Sequence, residues 1–579
     1  PFNLLFVFFP GKYLTAGCLL ILLLKYGCAG YTFGRLLKNE LKLNKWMIPA
    51  LATSYALMGW MIANQLNMLW LDAPIFLPLI ISALYRLLQK KRSLAYVLWL
   101  AAMMIINYYM AYMICLFLVL FFAWYQTAYF SGLKKFWSQL YLFISRSLLA
   151  VGISAFVLVP TYYSLVTSKG QYTEKSFQSH FEYVPLKMLS KFVIGAFNFE
   201  QMPKGFPNLF IGSLALIGVF LYFISLKIKW RPKLAAFLVS VFLWLSLCFE
   251  PLDLLWHGMQ FPVWYPYRFS FIVSFWMIFL AALALKENQF RLKPHQALIC
   301  LGIFTAGLSY VYFNSKSFDY VSKQVILFTA LFNVLLLLVL TVKKTPLNQR
   351  LTPLVIFLLV CFEMLANTTY SLNNISYLTQ AEFAGPTKVI AQDQKKLTQL
   401  DPGFYRIAQL YSRTKDDGLA HDLKTGSYFS SALEKSIPDF YGQLGQPDGD
   451  NYVGYYNGTL ISDSLLDMKY LLQAKDKAEL VLSSSAKVDL NVTSYRPDTK
   501  LYALRAQTAQ TRIYQNPYAI GLGYSADKKL KQLKVLYDQP LTYQTNWLNA
   551  ATGSANTTKY FYAANFNEVV FQNTKKQTN

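Results

Sequence analysis

The stretch 256–271, WHGMQFPVWYPYRFSF, places ionisable, amide and aromatic side chains together in an otherwise apolar part of the chain. It contains His257, Gln260, Tyr267 and Arg268. A guanidinium forms paired hydrogen bonds with phosphate oxygens, so Arg268 is a candidate for binding the phosphate of a head group. Gln260, Tyr267 and His257 are candidates for further polar contacts with that ligand. For His257, a structural role is favoured over a catalytic one.

Arg268 has an alternative partner in the sequence. Glu250 and Asp253 precede it by fewer than twenty residues, and a salt bridge to either carboxylate would make the arginine structural. The sequence leaves phosphate and carboxylate equally open as its partner.

A single carboxylate, Asp72, stands in the apolar and aromatic run NQLNMLWLDAPIFLPLI at 64–80. A carboxylate at a membrane–water boundary can act as a general base or orient a polar substrate. Pro74 follows closely, so the simpler alternative is a helix N-cap or an acid in the first turn of a helix. We treat Asp72 as a candidate catalytic residue with capping as the alternative.

Three weaker candidates complete the survey. The polar turn containing Asn107 and Tyr108 splits a long apolar run and is a candidate for binding substrate. The segment 167–207 carries several acids and an amphipathic stretch, none of which stands out. The DxD pattern of Asp448 and Asp450 follows Gln-Pro and precedes Asn, so a turn is a better interpretation than a metal site.

Several enzyme and pump classes find no support in the motifs. We find no P-loop, dinucleotide fingerprint, HExxH motif or nucleophile elbow, which disfavours an ATP-driven pump. The six cysteines lie in or beside apolar runs, and the four histidines are scattered. Neither set has metal-ligand spacing, so we predict no metal site, although a divalent cation could bridge a bound phosphate.

The elements that position these candidates are membrane helices. Of the 579 residues, 55% are hydrophobic, in runs long enough for helices of roughly 20 residues to cross a bilayer. The sequence predicts a polytopic α-helical membrane protein with about twelve spans. The predicted spans are, within several residues, 13–36, 47–66, 69–88, 93–109, 111–130, 143–166, 208–227, 233–250, 267–285, 294–313, 321–342 and 351–370.

The formal net charge of +25 follows the predicted loops. Basic residues cluster in every second loop, which marks those loops as cytoplasmic, and anionic lipid head groups account for the charge better than nucleic acid does. The candidates above then lie outside, with Asp72 at the outer end of the third span. The same alternation places Pro1 outside, so we expect a further span and outer loop to precede it.

Residues 371–579 form a second predicted domain. They are polar, lack cysteine and contain alternating aromatic runs such as KLYAL and TRIYQN, typical of β-strands. We therefore predict a membrane domain over 1–370 and an extracytoplasmic, β-rich α+β domain over 371–579.

Several strings resemble the bacterial YfhO family of membrane proteins. They are PFNLL, NMLWLDAPIFLPLI, INYYMAYM, PNLFIGSLALI, WHGMQFPVWYPYRFSF, DPGFYRI, GSYFSS, SLLDMKYLL and TRIYQNPYAIGLGY. They occur in one order over nearly the whole chain, which makes the resemblance more specific than any single string.

The resemblance implies a fold similar to the GT-C glycosyltransferases. It implies a polyprenyl-phosphate sugar donor, a base from an outer loop and a teichoic-acid-type acceptor polymer, such as the lipoteichoic acid of Gram-positive bacteria. In the family a first span and outer loop precede the PFNLL string, and the principal base is expected there. Asp72 matches the family's LDxxxxLPLI string as a secondary candidate, and His257 and Arg268 match its WHG and PYR strings.

A transporter or flippase for a lipid-linked or small solute is the alternative function. Twelve spans are common among transporters, which tend to show internal repeats and acids or broken helices near mid-membrane. The predicted outer position of the candidates and the lack of an evident repeat favour the transferase.

Overall fold

The chain folds as two compact units. The computed structural model describes residues 1–89, 94–168, 178–342, 346–476, 490–554 and 558–562. The first unit contains Pro1–Thr161 and Glu174–Tyr377, and the second contains Tyr162–Thr173 and Leu378–Asn579. The division predicted after residue 370 falls inside a helix that ends at Asn373.

The first unit is helical throughout its described part, with short 3-10 segments at Phe2–Phe8, Gly11–Tyr13, Pro185–Phe192 and Ser315–Ser317. Its α-helices are α1 (Leu14–Asn39), α2 (Ile48–Ala56), α3 (Gly59–Ala63), α4 (Asp72–Leu88), α5 (Leu94–Ile106), α6 (Tyr108–Ala128), α7 (Leu133–Thr167), α8 (Gln201–Lys204), α9 (Ser213–Ile224), α10 (Trp230–Ser246), α11 (Glu250–Trp256), α12 (Ser270–Glu287), α13 (Pro294–Phe313), α14 (Lys323–Thr341) and α15 (Pro346–Asn373).

Every predicted span overlaps at least one helix, but the helices differ in length from the predicted spans. Among the described residues, seven helices are long and apolar enough to cross a membrane. They are Gly11–Asn39, Tyr108–Ala128, Leu133–Thr167, Ser270–Glu287, Pro294–Phe313, Lys323–Thr341 and Leu351–Asn373. The chain is therefore a multi-pass membrane protein, and the count of about twelve spans stays a prediction.

The predicted span 47–66 is broken in the structure. It forms α2 and α3, separated at Leu57 and Met58, where the Met58 backbone is extended. The Gly59 N–H donates to Phe210 O at 2.7 Å. A Cβ on Gly59 would come within 3.1 Å of the Phe210 Cβ, so this approach requires glycine. Neither helix alone is long enough to cross a bilayer.

An aromatic core joins α1, α2, α6 and α12. Phe33 stacks on Tyr55 with ring centres 4.4 Å apart, and Phe275 meets both rings edge-on. All three side chains are fully buried. On the other side of α12, Gly218 of α9 approaches Ala281 so closely that a Cβ would lie 2.6 Å from the Ala281 Cβ. Small residues at such crossings let membrane helices pack backbone to backbone.

The second unit is built around a four-stranded sheet. Its strands are β1 (Arg406–Gln409), β6 (Met468–Ala474), β9 (Thr511–Gln515) and β8 (Ala503–Gln507), in that order. β1 pairs parallel to β6 with Ile407 opposite Tyr470, and the other neighbours are antiparallel. Side chains on one face of the sheet, including Ile407, Leu472 and Ile513, form one core cluster, and Ala408 and Leu471 on the other face belong to a second.

Shorter elements complete the second unit. Two small sheets pair β2 (Tyr411–Ser412) with β7 (Asn491–Val492), and β3 (Tyr428–Phe429) with β5 (Tyr452–Val453) and β4 (Asp448–Gly449). Its helices are α16 (Gln380–Leu400), α17 (Asp417–His421), α18 (Ser436–Gln443), α19 (Leu460–Leu465) and α20 (Pro540–Thr552), with 3-10 segments at Pro497–Leu501 and Lys528–Gln532. The strand-containing C-terminal region is thus confirmed.

Candidate functional site

Arg268 lies where α3, α6 and α12 meet. It immediately precedes the N-cap of α12, and its main-chain oxygen accepts a hydrogen bond from Trp60 Nε1 at 2.8 Å. Its guanidinium carbon lies 4.7 Å from the ring centre of Trp70 and 5.5 Å from that of Tyr109. Such contacts stabilise a cation by roughly 0.5–2 kcal/mol. The side chain is only half-buried, so a cation held between aromatic rings stays partly open.

The polar partners of the guanidinium are neutral. Nη2 donates to Trp264 O at 2.7 Å, Nε to Tyr265 O at 3.2 Å and Nη1 to the Tyr109 hydroxyl at 3.2 Å. In the part of the chain that the structure describes, no carboxylate forms an ion pair with Arg268. Its positive charge is therefore not neutralised by these residues.

The carboxylates proposed as alternative partners of Arg268 pair elsewhere. Glu250 Oε2 lies 2.7 Å from His180 Nδ1, and Asp253 Oδ1 lies 3.3 Å from His257 Nδ1. The salt bridge between Arg268 and Glu250 or Asp253 is not formed, because each acid already faces a histidine.

His257 is buried and contacts the main chain of Arg268. Its Nδ1 lies 2.9 Å from Asp253 O, and its Nε2 accepts a hydrogen bond from the Arg268 main-chain N–H at 3.4 Å. Both ring nitrogens are used by the protein itself, which fits the structural role favoured from the sequence.

Tyr267 and Glu182 form the acidic side of this region. The Tyr267 hydroxyl donates to Glu182 Oε2, while Glu182 Oε1 is buried without a hydrogen-bond partner. Burial, reinforced by Asp253, raises the pKa of Glu182 to about 7, and burial also raises the pKa of Tyr267. Tyr265 and Tyr267 both have positive φ. Two tyrosines in this costly region show that tertiary contacts fix the loop around Arg268.

The remaining predicted binding residues have separate environments. Asn107 caps α6, with Oδ1 accepting from Met110 N at 3.1 Å, and its Nδ2 donates to Leu69 O at 3.3 Å. Tyr108 and Gln260 are half-buried, and none of the guanidinium hydrogen bonds reaches them. The structure brings His257, Tyr267 and Arg268 together and leaves the other three without a bond to the guanidinium.

Asp72 is neither free nor capping a helix. Its Oδ2 lies 2.9 Å from Lys25 Nζ, and the two side chains are 4% and 0% exposed. The N-cap of α4 is Leu71, and no side-chain capping bond forms there, so Asp72 is not the N-cap but an acid of the first turn. Asp72 Oδ1 is buried with no hydrogen-bond partner. The ion pair is a third environment that the sequence did not suggest, and a role in proton transfer stays a prediction.

The ion pair joins Asp72 to the middle of a candidate span. Lys25 lies at the middle of Gly11–Asn39, and its Nζ reaches Asp72 in the first turn of α4. The position of Asp72 at the outer end of a span stays a prediction.

The loop 64–71 connects the ion pair to the arginine. Lys25 Nζ donates to Met68 O at 2.6 Å, and Leu69 O accepts from Asn107. The next residue, Trp70, is the ring over which Arg268 lies. Three consecutive residues of one loop thus contact α1, α6 and the residue before the α12 N-cap.

Sequence reasoning missed Lys25 and Glu182. Lys25 is the one charged residue between Lys12 and Arg35, and Asp72 is equally isolated in its own apolar run. Two lone opposite charges in apolar segments are the available signal, because an intramembrane charge needs a partner. Glu182 carries no such signal, since its neighbours Cys248 and Tyr267 are distant in sequence.

The described residues offer no group that could hold a metal ion, and the DxD pattern lies in a hairpin. Within the described ranges, no group of three His, Cys, Asp or Glu side chains could hold a metal ion. Asp448 pairs with Val453 in a hairpin whose turn contains Asp450 and Asn451, so the DxD pattern forms the predicted turn.

Comparison with known proteins places the chain in a family. A family model described as "Bacterial membrane protein YfhO" matches residues 1–579. The chain belongs to this YfhO family. No curated protein sequence matches it. Among solved structures, ArnT from Cupriavidus metallidurans in the apo state is similar, with 11% identity, 87% coverage of this chain, 84% coverage of that chain and a TM-score of 0.40.

The family assignment confirms the resemblance seen in the sequence. This YfhO-family protein has a helical membrane unit and a strand-containing unit. Its GT-C-like arrangement stays a prediction.

Proposed function

We propose that this YfhO-family protein is a membrane glycosyltransferase with a GT-C-like fold. It moves a sugar from a polyprenyl-phosphate donor to a cell-wall polymer such as lipoteichoic acid, on the outer face of the membrane. The observation that supports this best is Arg268, a half-buried guanidinium held by two aromatic rings with no carboxylate partner among the described residues.

Sugar transfer from a polyprenyl phosphate is favoured by a cation near the phosphate that leaves. An acceptor hydroxyl attacks the anomeric carbon, the bond from that carbon to the donor phosphate oxygen breaks, and polyprenyl phosphate leaves with an added negative charge. A fixed guanidinium stabilises that charge as it develops. The hydroxyl proton goes to a carboxylate, for which Asp72 is a secondary candidate in this chain.

The second unit has a surface suited to sugars. Tyr428 and Phe429 of β3 are 40% and 43% exposed on a short edge strand. Exposed aromatic rings stack on the apolar faces of sugars. We propose that this unit is extracytoplasmic and holds the acceptor polymer.

The test is the sugar content of teichoic acids in a bacterial strain that lacks the gene. We expect one sugar to be lost and to be restored by the wild-type gene but not by Arg268→Met. The matched control is Arg505→Met, an exposed arginine of β8 that bonds Gln515, which should restore it. Unchanged teichoic acid sugars in the deletion strain would contradict the proposal.

One observation favours the transporter or flippase alternative. The Lys25–Asp72 ion pair is buried, and its lysine lies at the middle of the candidate span Gly11–Asn39. The segment that forms α2 and α3 is broken, and transporters often build their sites from such broken helices. Reconstituted vesicles separate the two functions. Transfer of labelled sugar to a soluble acceptor supports the transferase, and passage of an intact lipid-linked sugar without transfer supports the alternative.

A further inference from the structure

The Lys25–Asp72 ion pair is almost completely buried. Lys25 Nζ has two oxygen partners, Asp72 Oδ2 at 2.9 Å and Met68 O at 2.6 Å, and it lies 5.4 Å from the centre of the Phe2 ring. One ammonium therefore binds both the first residue of α4 and the loop that precedes it. Asp72 Oδ1 makes no hydrogen bond, so Lys25 is the main polar partner of this carboxylate.

The loop 64–71 has few other side-chain anchors. Gln65 Nε2 donates to Tyr377 at 3.0 Å, and Asn107 Nδ2 donates to Leu69 O at 3.3 Å. Leu66 and Leu69 are 56% exposed. Met68, held by Lys25, is two residues from Trp70, whose ring supports Arg268. The Trp70 ring also meets Tyr265 edge-on with ring centres 5.8 Å apart, and two residues of backbone join it to the Met68 oxygen that Lys25 binds.

Energetics favour a positioning role for such a pair. Desolvation offsets much of the attraction between two buried charges, so the pair adds little net stability, and fixing one arrangement is its best-supported use. Removing one partner leaves an uncompensated charge, whereas removing both charges is much less costly. A double variant therefore separates the loss of a positioning contact from a loss of stability.

We propose that Lys25 and Asp72 are positioning residues for the Arg268 site. Their ion pair fixes the loop 64–71 so that Trp70 lies over the guanidinium. The inference rests on the proposed function for its ligand, a lipid-linked phosphate, but the loop position itself does not.

The first measurement is hydrogen exchange of the loop in the full-length protein. Lys25→Met and the double variant Lys25→Met/Asp72→Asn should both raise exchange in residues 64–71, because each removes the ammonium that bonds Asp72 and Met68 O. The double variant leaves no unpaired buried charge, so its global stability should stay near that of the wild type. The control is Arg86→Met, which breaks the pair between Arg86 Nε and Glu40 Oε1 at 2.7 Å in the same unit, and it should leave the loop unchanged. Unchanged exchange in Lys25→Met overturns the inference.

The second measurement is affinity for decaprenyl phosphate in detergent. Losing the Trp70 contact is worth about tenfold in affinity, so we expect Lys25→Met to raise Kd about tenfold, with kcat changed less. The effect should disappear in an Arg268→Lys background, because the pair acts through that arginine. An effect that persists there also overturns the inference.

The two proposals fail in different ways. If Asp72→Asn abolishes turnover while affinity and loop exchange are unchanged, and the double variant is equally inactive, Asp72 is a proton acceptor and the positioning role is wrong. If the wild-type protein does not bind decaprenyl phosphate but Lys25→Met still releases the loop, the positioning role holds and the proposed function fails.

Discussion

Arg268 and Arg496 show two opposite ways to hold a guanidinium. In the second unit, Arg496 is 4% exposed and pairs with two carboxylates, Nη1 with Asp463 Oδ2 and Nη2 with Asp498 Oδ2, each at 2.5 Å. The Tyr502 hydroxyl accepts from Arg496 and donates to Asp463, each at 2.7 Å. In the first unit, Arg268 has carbonyls, a hydroxyl and two rings.

The difference separates a structural arginine from one available to a ligand. Carboxylates neutralise Arg496 inside the fold and use most of its donors. The neutral partners of Arg268 orient the side chain without cancelling its charge, so an incoming anion gains the full interaction. Partner chemistry, more than burial, therefore distinguishes their roles.

The largest expected effect is on the stability of the second unit. Arg496→Met leaves Asp463 buried without its cation, which costs about 3–5 kcal/mol. We expect amide exchange in residues 460–474 to rise on the order of 100-fold or more, measured by mass spectrometry on the full chain. Arg268→Met should leave these peptides unchanged, and equal exchange in both variants would remove the contrast.

A smaller effect is expected on ligand affinity. Arg268→Lys keeps the charge but loses the planar fork, so the Kd for decaprenyl phosphate should rise roughly 10- to 100-fold. Titration in detergent measures this. Arg505→Lys is the matched control, with no expected change, and a similar loss in both variants would indicate nonspecific charge binding.

The aromatic support of Arg268 should have a smaller effect again. Trp70→Leu removes the ring below the guanidinium, which corresponds to roughly a 2- to 30-fold loss of affinity in the same titration. Trp264 contributes its main-chain oxygen to Arg268, so Trp264→Leu keeps that contact and should have less effect. The reverse order would show that Trp70 is not the ring that matters.

The smallest effect concerns pH. The pKa of Glu182 is raised from 4.5 to about 7, so the folded protein favours the protonated carboxyl. Its stabilising contribution is complete below pH 4.5 and is lost as pH rises through 7. We expect the midpoint temperature of thermal unfolding to decrease as the pH rises from 5 to 8, and to decrease less in Glu182→Gln.

The control for this pH effect is Glu200→Gln, which alters an exposed acid of the same segment. It should behave as the wild type. If Glu182→Gln shows the same pH dependence as the wild type, the buried carboxyl is not the group that titrates.

The sequence was most informative where contacts are local. The string around Arg268 and the helical segments follow from apolar runs and nearby residue types. The pairing of Lys25 with Asp72 and that of Tyr267 with Glu182 join distant segments, so periodicity could not reveal them. The break at Gly59 was also hidden, because it depends on Phe210 O, which belongs to the segment before α9.

The mixed sheet of the second unit shows the same limit. Alternation predicted strands at KLYAL and TRIYQN. β9 coincides with TRIYQN, but β8 begins only at Ala503, and the start of KLYAL belongs to the 3-10 segment Pro497–Leu501. The parallel partner of β1 lies about sixty residues further on, and alternation alone carries no information about that choice.

The strand order has a consequence for how the protein is made. β1 has its only strand neighbour of this sheet in β6, and β6 is completed by β9, which ends at Gln515. At synthesis rates of about 5–20 residues per second, β1 waits on the order of 5–20 s before the strands that flank β6 are all present. During that interval β1 lacks its partner strand, and an unpaired strand edge is open to pairing with another chain.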